Sequence, residues 1–361
     1  MQPGLEMVDW QLAVATARRL SPPGPALAPD QAQGVVRQLR ALADEALDHV
    51  VAYTGLRPDP AQRTGTTVVD RGTWAEQNVA GLQVTLAPVL EHLASKRTKR
   101  VGHGPSAAVL GYAGRKVTGT ELGGLLAFLS TKVLGQYEVF LPPADGDGRL
   151  TLVAPNIVEV ERRLGVDPRD FRMWVCLHEQ THHVQFTGTP WLKDHLADLV
   201  RQLGVAADLD PVAVLGRVRD AMRERGVARD LPGGPLALLQ SPEQRAVTAD
   251  LQAVMTLLEG HADYVMDAVG PEVVPTVDEI RRGFEDRRRS GSPLERVARR
   301  LLGLDAKLAQ YRIGGAFCRA VARDAGPDAL LVAFAGPQNI PTAAEFANPA
   351  AWIERTCPVR A

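Results

Sequence analysis

Apolar residues recur every three or four positions through most of the chain, the spacing that gathers them on one face of an α-helix. Asp9 caps a first helix that runs through Leu20 and is broken by Ser21-Pro22-Pro23-Gly24-Pro25. Asp30 caps a second, through about Thr54, whose apolar face is Val35, Val36, Leu39, Leu42, Leu47 and Val50. A third runs over about 72–95 through Val79, Leu82, Leu86, Val89 and Leu93, and 122–134 reads as an amphipathic or buried helix. The period then changes. Residues 136–141 and 149–153 are β-prone and flank Pro142-Pro143-Ala144-Asp145-Gly146-Asp147-Gly148, which predicts a hairpin. Helical spacing returns over 156–164, over 168–186 behind the cap Asp167 and Pro168, and over 191–203, 211–225, 244–268 and 293–325. The Gly- and Pro-rich stretch 226–235 is a candidate lid. The pattern predicts a mostly helical α+β protein, with an N-terminal helical layer at 1–105 packed on a core region at 106–361 that can be continuous with it.

The helix behind Asp167 carries the chemistry. Its sequence includes His178-Glu179-Gln180-Thr181-His182, and no Gly or Pro occurs from Phe171 to Thr187. Histidines four residues apart leave the same face of a helix about one turn from each other, so both rings can converge on one metal ion. Glu179, on the flank of that face, can take a proton from a metal-activated water without being a ligand. With eight His in 361 residues, chance placement gives this pattern on the order of 0.01 times per chain.

A zinc site needs a third protein ligand and an open position for water. Glu259 is the first candidate: it interrupts the apolar face of the 244–268 helix (Val247, Leu251, Val254, Leu258, Val265), where a charge is costly unless matched. Asp263, one turn on, shares its face and can accept the second ring N–H of a ligand histidine, fixing the tautomer. His261, two residues from Glu259, is the competing ligand and points to roughly the opposite side.

These residues, with Val8-Asp9-Trp10, Gly123-Gly124-Leu125-Leu126-Ala127-Phe128-Leu129, Leu134-Gly135-Gln136-Tyr137, Val153-Ala154-Pro155-Asn156, Leu258-Glu259-Gly260-His261-Ala262-Asp263 and Gly303-Leu304-Asp305-Ala306-Lys307, make the chain similar to the zincin-like metallopeptidases of actinobacteria. Some of those are associated with biosynthesis of a deazaflavin coenzyme. The resemblance implies a zincin-like core and a Zn2+ site. The spacing from Glu259 to Asp263 also resembles the glutamate-ligand branch of the zincins, although that branch commonly has Asn where this chain has Leu258. In zincins the strand before the active-site helix is commonly the edge on which a peptide is laid, which points to main-chain pairing along 150–154. Zincins usually stabilise the oxyanion with a Tyr or His, and Tyr311 and His195 are the candidates.

Bulk composition narrows the partners. The net charge is −1, from 41 basic and 42 acidic residues, so no global field draws nucleic acid or anionic lipid. The basic runs at 96–100 and 281–300 lack interleaved aromatics or are partly neutralised by Glu279, Glu285, Asp286 and Glu295, and read as solvated surface. Three cysteines, Cys176, Cys318 and Cys357, suit a reducing, cytoplasmic setting with free thiols. Residues 1–14 lack the basic start and apolar run of a secretory signal, and no stretch has the ~20 apolar residues of a membrane span. The expected reaction is zinc-assisted hydrolysis of a peptide bond with Glu179 as general base. The alternatives are hydrolysis of a small non-peptide amide or ester, and a non-catalytic metal-stabilised scaffold.

Overall fold

A computed structural model describes residues 5–58, 65–98, 105–140, 148–206, 241–290 and 304–357. The expected 211–225 helix, the 226–235 lid, the hairpin turn at 142–147 and the start of the 293–325 helix lie outside them. The fold is mostly helical with a small three-stranded sheet, as the sequence predicts. The chain forms two compact units, Met1–Pro190 with His261–Ser292, and Trp191–Gly260 with Pro293–Ala361.

In the first unit, α1 (Trp10–Leu20) is capped by Asp9, whose Oδ1 accepts the Leu12 N–H at 2.9 Å. Helix α2 (Pro29–Thr54) opens one residue before the expected cap. Pro29 takes the first helical position, where its fixed φ fits and its missing N–H costs nothing, so Asp30 falls inside the first turn. Helices α3 (Arg71–Thr98) and α4 (Pro105–Leu129) pack with α1 into one cluster. Its core is Ala13 and Ala17 of α1, Trp74, Ala75 and Val79 of α3, Leu126 of α4, and Val153. Small residues set the spacing here: a Cβ on Gly119 would lie 2.5 Å from the Asp9 carbonyl oxygen, and one on Gly123 2.6 Å from that of Ala13.

The sheet has the order β1-β3-β2, with β1 (Thr67–Val69), β2 (Gly135–Glu138) and β3 (Arg149–Val153). The predicted hairpin is present: β2 and β3 run antiparallel with Tyr137 opposite Leu150. The edge assignment is not. β1 pairs with β3 in parallel, Val68 opposite Leu152, so both sides of β3 are taken and 150–154 cannot receive a peptide. Among the described residues β2 is an edge strand.

Residues of β2 alternate as a pleat requires. Gln136 and Glu138 turn to α3, where Trp74 Nε1 donates to Gln136 Oε1 at 2.9 Å and Asn78 reaches Glu138. Tyr137 turns to the helix α6 (Pro168–Thr187) and stacks on His183 and Phe186, with ring centroids 5.2 and 5.9 Å apart.

Between sheet and α6 lies α5 (Ala154–Leu164), ended by Gly165 at φ 67°, a conformation that favours glycine. Asn156, expected to open α5, sits inside it and is buried; its Nδ2 donates to the Ser130 and Val133 carbonyls while its Oδ1 accepts from Arg71. Asp167 caps α6 through the Asp170 N–H at 3.0 Å, and Asp170 in turn accepts from Thr276. α6 is buried on almost every side, with α2 against one face and β2 against another, as a central helix with no water-facing stripe must be.

In the second unit, α7 (Pro190–Ala206), α10 (Leu304–Ala325) and the part of α8 (Pro242–Ala268) up to Gly260 are the long helices; the rest of α8, from His261, and α9 (Val277–Ser290) belong to the first. Phe317 of α10 packs edge-on against Phe346 and Trp352 at 5.1 and 5.4 Å. α8 and α10 cross with backbones touching: a Cβ on Gly260 would lie 2.2 Å from the Gly314 carbonyl carbon, and one on Gly314 2.1 Å from the Thr256 oxygen. Among the described residues no helix is long and apolar enough to cross a membrane.

The cysteines follow the core. Cys176 and Cys318 are fully buried, and burial, with the Glu179 charge adding, raises the Cys176 thiol far above its ordinary value. Cys357 is half-buried. A thiol reagent added to native protein is therefore expected to label Cys357 alone on the fast timescale, with Cys176 and Cys318 reacting only on unfolding. Peptide mapping of the labelled protein reads the result.

Candidate metal centre

Helix α6 places His178 and His182 one turn apart, and their rings meet edge to face with centroids 4.8 Å apart. Both present Nε2, and the two atoms are 3.2 Å apart. Two nitrogens bound to one tetrahedral zinc at 2.0–2.1 Å stand about 3.3 Å apart, so the pair already has a chelating spacing.

Glu179 is 6 % exposed and lies against β2. A Cβ on Gly135 would be 2.6 Å from Glu179 Cγ and 2.9 Å from its Oε1, so only a residue without a side chain lets the strand backbone run this close to the carboxylate. Sequence reasoning gave Gly135 no role, since nothing in its periodicity reports an approach between a strand and a helix.

The third donor comes from α8, which continues unbroken through Gly260-His261. Glu259 is buried, and one ligand atom from each of His178, His182 and Glu259 lies within 4.8 Å of the others. Two imidazoles and a carboxylate are a catalytic zinc donor set, with one position left for water. The residues fit the ion that the motif implies.

Hydrogen bonds fix the surroundings. His182 Nδ1 meets Gln185 Oε1 at 2.9 Å, and Gln185 Nε2 meets His261 Nδ1 at 3.0 Å. Gln185 is fully buried, and its place three residues after His182 was the available sequence signal. His261 is 3 % exposed; burial, with the His182 charge adding, pushes its pKa down to about 3 and keeps the ring neutral. Asp263, expected against a ligand ring, has its Oδ1 2.7 Å from Arg281 Nη1, and Asp267 takes the same guanidinium at 2.6 Å. Burial opposes the charge on Arg281, but the two aspartates outweigh it and raise its pKa. Arg281 also lies 5.5 Å over the Trp174 ring, so it is not part of the solvated basic surface expected for 281–300. Arg282 is exposed, in keeping with that expectation.

Of the two candidate oxyanion donors, His195 lies on α7 with its ring edge-on to Trp191 at 5.6 Å. Tyr311 lies on α10, and its side chain is outside the described set.

A helix-borne His-Glu-x-x-His pair, a carboxylate from a second helix and a small sheet beside the first define a zincin-type arrangement. The chain belongs to the zincin-like metallopeptidase family, whose sequence model matches residues 8–353. A solved structure from Chloroflexus aurantiacus, presented as a candidate hydrolase with a novel fold, is similar to it at 30 % identity and a TM-score of 0.68, covering 97 % of this chain and 99 % of that one. No curated protein matches.

Proposed function

We propose that this chain is a zinc-dependent peptidase in which His178, His182 and Glu259 hold the ion and Glu179 is the general base. The observation that carries the reading is the convergence of three ligand atoms within 4.8 Å of one another, with Glu179 next to His178 in the chain and against the edge strand β2. Zinc held by these residues would supply Lewis acidity to activate a water and polarise the scissile carbonyl. Glu179 takes the proton from the attacking water at its carboxylate and passes it to the leaving amine nitrogen. β2, an edge strand among the described residues, is where an extended peptide would lie. This moves the substrate strand from β3 to β2. Tyr311 and His195 stay the candidates for the donor to the developing oxyanion.

Incubation with a peptide library, read by mass spectrometry, tests the reading. Cleavage is expected from the protein as purified, to stop on chelation and to return when zinc is restored. Turnover of small amides or esters without peptide cleavage would transfer the site to non-peptide substrates, and a protein that takes up no zinc would sink the proposal.

A further inference from the structure

We infer that Gln185 is a positioning residue for His182: its amide dictates which ring nitrogen of the metal ligand carries the proton. The inference rests on the zinc site proposed above. Gln185 lies three residues beyond His182 on the same face of α6 and is fully buried. Its Oε1 is 2.9 Å from His182 Nδ1 and its Nε2 is 3.0 Å from His261 Nδ1. A carbonyl oxygen only accepts and an amide NH2 only donates. His182 Nδ1 must then carry a hydrogen, and His261 Nδ1 must be bare.

The consequence runs to the metal. With its proton on Nδ1, the neutral His182 ring has its lone pair at Nε2, the atom that stands 3.2 Å from His178 Nε2. Were the amide reversed, its NH2 would demand a bare Nδ1 on His182, placing the proton on Nε2 and blocking ligation. His261 would have to change tautomer in the same step, because the oxygen would then face its Nδ1. The three groups therefore set their hydrogens together, and His261, buried at 3 % exposure, is the far anchor of the set. Its place beside Glu259 on α8 means that the helix delivering the carboxylate also fixes the tautomer of a histidine on α6. Partners of this kind orient a ligand ring and raise its basicity, and losing one costs 10–100-fold in metal affinity.

Three measurements decide it. In metal-free native protein, 15N-resolved NMR of the His182 ring is expected to show the proton on Nδ1; a proton on Nε2 overturns the inference, even if the zinc reading itself fails. Gln185→Met keeps the volume and removes both hydrogen bonds, so zinc affinity in chelator competition is expected to fall about 10–100-fold. Gln185→Glu keeps an acceptor for His182 and is expected to retain most of the affinity. A structural role alone predicts the opposite ranking, since a buried carboxylate disturbs the core more than a thioether does. Native-like affinity in Gln185→Met, or equal losses in both variants, overturns the inference. Absence of zinc uptake by the unaltered protein would sink the metal site instead.

Discussion

Replacing Glu179 by glutamine is expected to lower peptide turnover by about 10²–10⁴-fold, the usual contribution of a general base, while zinc content stays at the native level. The substitution is nearly isosteric, so the contact with Gly135 in β2 survives. What disappears is an atom able to accept the proton from the attacking water. Zinc is retained because the converging donors are His178, His182 and Glu259, and Glu179 is not among them. Steady-state kcat and metal analysis of the same preparation read the two halves. Native turnover would remove Glu179 from the chemistry; a large loss of zinc would mean that it holds the ligands and is not merely the base.

The second large effect is structural and falls on Gly260. An alanine there must place its Cβ 2.2 Å from a backbone atom of Gly314, which no rotamer change relieves, so α8 and α10 must separate. Overpacking of this kind costs roughly 1–3 kcal/mol and sometimes more, and the upper part of that range is expected because both contacting groups are main chain. Zinc affinity should fall as well, since the shifted turn carries Glu259 and His261. Gly34, inside α2 with nothing within 4 Å of its would-be Cβ, is the matched control. Gly34→Ala is expected to stabilise by about 0.4–1 kcal/mol through lost freedom of the unfolded chain. Denaturant melts of the two variants should move in opposite directions; a Gly260→Ala midpoint equal to that of Gly34→Ala would refute the crossing.

The candidate centre was legible to the extent that it rests on local spacing. His178 and His182 declare themselves because four residues make one helical turn, and Glu259 because a charge in an apolar helix face demands a reason. Asp9 and Asp167 are caps at the predicted helix starts for the same local cause. What escaped depends on partners remote in sequence. β1 is only three residues long, and its pairing with β3 takes β3 off the edge of the sheet. The Arg281 contact of Asp263 comes from a helix whose basic composition suggested only solvent. Gly135 and Gly260 matter through what they allow to approach, which composition cannot express.

The parallel pairing of β1 with β3 also governs how the molecule acquires its structure. Thr67 must find Thr151 with α3 and α4 threaded between them. Helices α1 to α4 can nucleate from neighbours in sequence, whereas contacts between such distant positions slow folding. During synthesis, β1 emerges with its partner still unmade and waits for the ribosome to reach β3. The sheet that packs against α6 is thus completed late, and a substitution in β1 is expected to act by delaying assembly, at a distance in sequence from every residue of the candidate centre.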